Sequence, residues 1–287
     1  MNWTLKNSRF CLEIAAVGAE LCSWWDARSQ RDWIWQPQPD VWKSSATHLF
    51  PVVGRLLHGG LWDRGAFYPL PDHGFLRRRR FSCLAQRPDR LHLTCESDDT
   101  TLALWPFRWR LHVIWTLRDW GLEILWQVEN LSEEPFGFSL GWHPGFSLPI
   151  ASEPGWVVEF DKAVRGPFAT VDRTLAVPDD TVAVTRVTLE KHLFEQGAIY
   201  LGHCAGRQVR VVTPHGVTLV TMALDKQPWL ALWGVPGADL LCIEPLAGTT
   251  DAPDFDGELR NKRSIRFLAP GQIYHQALSV KLAADEA

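Results

Sequence analysis

WRLHVIWTL (Trp109–Leu117) and LEILWQVEN (Leu122–Asn130), joined by Arg118-Asp119-Trp120-Gly121, decide how this chain folds. Both runs are rich in β-branched and aromatic residues, and the glycine in the connection supplies a tight turn, so together they predict an antiparallel hairpin. Runs of the same kind recur on either side: Phe10–Ala16, Leu91–Glu96, Val209–Thr213, Val217–Ala223, Trp229–Trp233, Leu240–Glu244 and Ile273–Leu282. Pro, Gly or Asp turns separate them. Almost no segment carries an apolar stripe of helical period, and helix is expected at most at Leu189–Phe194 and around Val41–Ala46. The reading is therefore all-β: a large antiparallel β-sandwich with little helix. No Gly/Ser/Pro-rich linker, charge shift or fixed-period repeat divides the chain, so residues 1–287 are expected to form a single domain.

The 287 residues carry a net charge of −4, which gives no basis for nucleic acid or an anionic membrane as partner. No apolar run approaches the roughly 18 residues of a membrane span. The segment Met1–Phe10 lacks the apolar stretch of a secretory signal, and the six cysteines include no C-x-x-C pair. Reduced, mostly buried thiols in a cytoplasmic protein are the expectation. No H-E-x-x-H and no zinc-type Cys/His spacing is present, so neither a metal nor another cofactor is expected.

Several residues stand out as candidates for chemistry. Gly137-Phe138-Ser139-Leu140-Gly141 matches G-x-S-x-G, but Pro144, Gly145 and Pro149 forbid the helix that must follow a nucleophilic serine, so Ser139 is read as a strand residue. Arg77–Arg80 reads either as a solvated edge or, through Arg77, as a contact to an anionic group. Sixteen tryptophans either fill a core or offer a flat face to a sugar ring; Trp142, beside His143, is the one to test for the latter. His73 lies in Pro71-Asp72-His73-Gly74-Phe75, where Gly74 lets the backbone turn and a ligand approach. His143 lies in Gly141-Trp142-His143-Pro144-Gly145, a rigid turn after a strand; both suit proton transfer near neutrality, or a structural role. Glu244 ends the apolar run Leu240–Ile243 before Pro245, where desolvation raises a carboxyl toward general-base duty unless an arginine pairs with it at the sheet rim.

The ordered motifs Phe50-Pro51-Val52-Val53-Gly54-Arg55-Leu56, His73-Gly74-Phe75-Leu76-Arg77, Gly141-Trp142-His143-Pro144-Gly145-Phe146 and Cys242-Ile243-Glu244-Pro245 resemble the aldose 1-epimerase (galactose mutarotase-like) family, from Phe10 to about Leu282. The resemblance implies a β-supersandwich with an open sugar cleft and metal-free interconversion of α and β anomers of a hexose. It implies Glu244 as the base that takes the C1-hydroxyl proton and His143 as the acid that protonates the ring oxygen. It implies His73 and Arg55 as sugar-binding residues, with Arg77 or Arg55 as the anion contact should the sugar be phosphorylated or acidic. A carbohydrate-binding module without turnover is the alternative outside enzymology. The two catalytic groups are expected on opposite sides of one pyranose-sized hollow. The chain departs from the family pattern at Gly145, where many relatives have Tyr and whose loss is expected to widen the cleft. It departs also at Leu193–Gly197, where relatives often have an aspartate for a sugar hydroxyl, and at Leu246, where they often have Trp.

Overall fold

The computed structural model describes residues 2–283. They are about 52% strand and 4% helix, so the chain is all-β, built from large antiparallel sheets. The Trp109–Arg118/Gly121–Asn130 hairpin forms as expected, in register from Trp109 opposite Asn130 to Arg118 opposite Gly121. Trp109, Leu111, Val113, Trp115 and Leu117 alternate into the core and meet Leu122, Ile124, Trp126 and Val128 of the second strand. Each fully buried large apolar side chain contributes roughly 1.5–3 kcal/mol of transfer free energy.

This hairpin lies near one edge of a 14-stranded antiparallel sheet. Ser82–Arg87 and Arg90–Glu96 flank it on one side. On the other, Ile273–Leu282, Thr218–Leu224, Gln208–Val212, Val157–Ala169, Ile199–Gly202, Trp229–Trp233, Leu240–Ala247, Leu140–Ser147 and Ala46–Leu49 follow in that order, and the fourteenth strand, Ala183–Thr188, pairs with Val157–Ala169 off this path. A four-stranded sheet (Asn2–Lys6, Phe10–Ala15, Leu21–Asp26, Arg31–Asp32) and two small ribbons complete the fold. One large cluster of buried side chains draws members from Leu5 to Leu282.

Some local expectations are overturned. Leu189–Phe194 and Val41–Ala46 form turns and a short extended piece, not helix. Among the described residues the α-helix is instead Asp99–Leu104, started by a capping box in which the Asp98 carboxylate accepts from Thr101 N and the Thr101 hydroxyl accepts from Asp98 N. Ser139 falls in the break between Phe136–Phe138 and Leu140–Ser147, buried, with its N–H donating to Pro51 O. Cys95, Cys204 and Cys242 are buried as expected, but Cys83 is exposed on the edge strand; all six thiols are free.

The strand containing Glu244 runs on through Pro245 to Ala247, and His143 with Pro144 and Gly145 lies inside Leu140–Ser147. Neither residue therefore ends a strand or occupies a turn. Pro144 and Pro245, one on each of these neighbouring strands, have no N–H to give a ladder. The pairing between the strands is interrupted from Gly141–Leu246 to Gly145–Cys242. Counting across that gap sets His143 directly opposite Glu244.

Candidate active site

The sheet register assembles one face of the site. His143 stands opposite Glu244, Glu244 pairs with Ala231, and Ala231 with Tyr200, so the four form a row across four adjacent strands. Residues two positions away along a strand share that face. Trp233, two residues from Ala231, and Ala198, two from Tyr200, accordingly wall a cavity of about 280 Å3, and Thr170, just past its strand, and loops add Trp42, Gly54, Arg55, His73, Arg173, Gly197 and Thr250. A larger groove elsewhere, lined by Arg87, Arg118, Glu123 and Asp225 among others, contains none of these residues.

His143 Nε2 lies 3.3 Å from Glu244 Oε1, and both side chains are almost fully buried. They touch on one side of the cavity, not on opposite sides. Burial pushes the Glu244 carboxyl well above the ordinary carboxylate range. Burial, with the charges of His73 and Arg77 behind it, holds the His143 imidazole well below its ordinary value. The carboxyl is thus biased toward its protonated form and the ring toward its neutral form. Transfer of the carboxyl proton across the contact makes carboxylate and imidazolium without changing the proton count. His143 Nδ1 is buried and has no hydrogen-bond partner among the described residues.

His73 is held by a reciprocal clasp with Gly54: its N–H donates to Gly54 O at 2.9 Å and its Nδ1 accepts from Gly54 N at 3.2 Å. Nδ1 acting as acceptor places the ring proton on Nε2, the tautomer that can donate to a bound oxygen. Burial, reinforced by Arg77, Arg173 and Lys262, lowers its pKa to about 3 and keeps the ring neutral. Gly74, with φ +70°, serves a close approach, but of the chain itself: a Cβ there would sit 2.1 Å from Phe50 O.

Arg55 lines the cavity, and its Nη1 donates to Asp172 O at 2.7 Å. Its N–H donates to Thr250 Oγ1 at 3.0 Å, and that hydroxyl donates to Arg173 O at 2.7 Å, tying three walls together. Below them a buried Lys262–Asp251 ion pair anchors the loop, with Asp251 Oδ2 accepting from Leu57 N and Lys262 Nζ donating to Thr249 O.

Two candidates stand apart. Trp142 is fully buried, its indole donating to Ala46 O at 3.2 Å, because strand alternation sends it to the face opposite His143. Arg77 is half-buried in the 3-10 turn Leu76–Arg78, donates to Asp72 O at 3.1 Å, and does not line the cavity. The aromatic faces at the cavity come from Trp42 and Trp233. Gly145 does not widen the cleft, since Trp42 occupies the space beside it. The Leu193–Gly197 segment reaches the cavity through Gly197, while Glu195 is exposed and pairs with His192. Leu246 is buried among Leu49 and Val53.

Trp42, Tyr200, Thr170, Arg173 and Thr250 went unread in the sequence. Tyr200 and Thr170 join the site through pairing of strands distant along the chain. For Thr250, the run Gly248-Thr249-Thr250-Asp251 after Glu244-Pro245 was the available signal. Among the described residues no group of three or more His, Cys, Asp or Glu is arranged to hold a metal, and no helix is long and apolar enough to cross a membrane.

The family model described as aldose 1-epimerase matches residues 1–281. The protein LacX (chromosomal) of Lactococcus lactis subsp. lactis is 23% identical over 292 residues, covering 94% of this chain and 95% of that protein. Among solved structures, a galactose mutarotase related enzyme from Lactobacillus acidophilus superimposes with a TM-score of 0.92 at 26% identity, over 99% of this chain and 98% of that one. A galactose mutarotase-like protein from Lactobacillus casei gives a TM-score of 0.90 at 25% identity, over 99% of this chain and 100% of that one.

Proposed function

The chain belongs to the aldose 1-epimerase family, and from that premise we propose that its cavity interconverts the α and β anomers of a hexose or related sugar, as an isomerase without cofactor. The observation that carries this reading is the His143–Glu244 contact at the floor of a single small cavity. A volume of about 280 Å3 lies at the low end of ligand sites, which run from roughly 300 to 1,000 Å3, and fits one sugar ring rather than a chain of them.

In this mechanism the Glu244 carboxylate takes the proton from the C1 hydroxyl while the His143 imidazolium protonates the ring oxygen. The C1–O5 bond breaks and the open-chain aldehyde forms. Glu244 is now a neutral acid and His143 a neutral base, the combination that burial favours, so the dry site stabilises the intermediate side of the step. Rotation about C1–C2 presents the other carbonyl face; O5 attacks, both protons return, and the opposite anomer leaves. His73, neutral with its proton on Nε2, donates to a sugar oxygen, and Arg55 binds a hydroxyl. Each positioned acid or base contributes typically about 10²–10⁴-fold.

Anomer exchange measured by NMR or polarimetry across a panel of aldoses tests the reading. Acceleration by the wild type that is lost in Glu244→Gln is expected. No acceleration, or full activity in Glu244→Gln, rejects it; sugar binding without exchange would favour a binding module.

A second reading, a phosphorylated or acidic sugar, is favoured by one observation. Arg55 and Arg173 both line the cavity, and among the described residues Arg55 pairs with no carboxylate, while Arg173 is paired to Asp72. Arginine forks well onto phosphate and carboxylate. Under this reading Arg55→Gln lowers kcat/KM for the charged sugar far more than for its neutral counterpart; an unchanged ratio ends it.

A further inference from the structure

Trp42 is the aromatic residue stacked on the proposed acid, and it comes from outside the sheet. Its ring stacks on the His143 imidazole with centroids 5.0 Å apart and planes inclined by 21°. Trp233 stands edge-on to both rings, 5.9 Å from Trp42 and 6.0 Å from His143, and His73 meets His143 edge-on at 5.8 Å. Three rings, one stacked and two roughly perpendicular, thus surround the imidazole.

Gly145 makes this arrangement possible. It lies two residues beyond His143 on the same face of the same strand, where any side chain would stand in the place of the Trp42 ring. A Cβ on Gly145 would come within 2.7 Å of Trp42 Cζ3 and 2.8 Å of Leu240 Cδ1. The backbone of Gly145 also pins both ends of the segment that carries Trp42: its N–H donates to Ser45 O at 2.8 Å and its carbonyl accepts from Trp35 N at 2.9 Å. The Trp42 carbonyl accepts from Trp35 Nε1 at 3.1 Å and from Gln38 N at 2.9 Å, which fixes the tip. Trp35, Leu240 and Cys242, with Val41, Trp42 and Trp233 against them, form a small apolar cluster of their own under this segment.

We propose that Trp42, seated over Gly145, is a positioning residue for the general acid: its ring face holds the His143 imidazole in line with Glu244 and stabilises the imidazolium that donates to the sugar. The inference rests on the mutarotase reading of His143. A flat π-face against a cation in a desolvated setting is a known source of stabilisation, and a tryptophan provides the strongest such face. Stacking also removes rotational freedom from a ring whose Nδ1 has no other tether.

The test compares Trp42→Phe with Trp42→Met, which keeps apolar bulk but has no ring face. We expect Phe to retain kcat within about threefold and Met to lose about tenfold or more in kcat, with KM changed less than about twofold in both. Proton NMR of the imidazole Cε1–H of His143, assigned by its disappearance in His143→Asn, reads the geometry without turnover. The part of its ring-current shift that comes from the stacked ring should persist in Phe and be lost in Met, leaving the smaller contribution of Trp233 and His73. Both variants must melt near the wild type; Gly145→Ala, which displaces the Trp42 ring from the other side, should reproduce the Met phenotype. An active wild type with equal kcat in Phe and Met overturns the inference and leaves the mutarotase reading standing, as does a change confined to KM, which would make Trp42 a sugar contact instead. A wild type without anomer exchange overturns both.

Discussion

His143 and Glu244 face each other across two antiparallel strands, with Nε2 and Oε1 3.3 Å apart, at the place where Pro144 and Pro245 leave the ladder unpaired. The same two prolines interrupt the backbone pairing and flank the only cross-strand pair there that can pass a proton.

That contact makes the two groups titrate as one unit. In the proposed mechanism the working state holds one proton; the depressed imidazole pKa sets where it would gain a second and the raised carboxyl pKa where it would lose the last. The acid limb of a kcat profile taken from about pH 4 to about pH 9 should fall below the ordinary imidazole value of about 6.5, and the alkaline limb above the ordinary carboxyl value of about 4.3. An acid limb at or above the ordinary imidazole value would contradict the shared-proton account.

Removal of either partner should disable the pair. Glu244→Gln and His143→Asn are each expected to reduce exchange by about 10²–10⁴-fold, and the double variant by little more than the worse single one. Losses that multiply would mean that the two groups act independently. Steady-state polarimetry on the three variants decides.

Acid stability should depend on His48, which is fully buried on the opposite face, with Nδ1 3.2 Å from Gly18 O and its ring edge-on to Trp115 and Trp126. Burial lowers its pKa to about 3. The unfolded chain binds a proton here below about 6.5 and the folded chain does not, so this residue's contribution is complete above that pH and is lost as pH falls toward about 3. Melting temperature should drop across this window, and His48→Asn should flatten the dependence. A slope unaltered by the substitution would assign it to other groups.

The Lys262–Asp251 pair, with both side chains about 1% exposed, holds the loop that carries Thr250. Lys262→Met leaves a buried carboxylate uncompensated and should cost about 3–5 kcal/mol in urea unfolding, while Lys262→Met combined with Asp251→Leu should recover part of that loss. A single variant as stable as the wild type would show that water reaches Asp251.

The Trp109–Asn130 hairpin was legible because alternation and a glycine turn act within a few residues of one another. The end of the Glu244 strand was misjudged because Pro245 reads as a terminator. In the fold it occupies a stretch where the ladder is already open on one side, so its missing N–H costs little there. The Asp99–Leu104 helix was missed although Asp98 and Thr101 had the spacing of a capping box, since six residues are too few to show a period. Glu244, His143, His73 and Arg55 could be named from local motifs, and all four line one cavity. Trp142 could be named too, but alternation along the strand turns it away. Trp42 and Tyr200 reach the site only through contacts remote in sequence, which no local pattern announces.

Because the two reacting side chains are neighbours in a strand register, their separation is set by backbone geometry that loop changes do not touch. Insertion or loss of one residue between Gly141 and Gly145, or between Cys242 and Leu246, would rotate one of them to the far face and silence the chemistry outright. The segments around Arg55, Arg173, Gly197 and Thr250 carry no such constraint. Under the mutarotase proposal, lineages descending from this protein can therefore trade one sugar for another by remodelling the rim while inheriting the paired side chains intact.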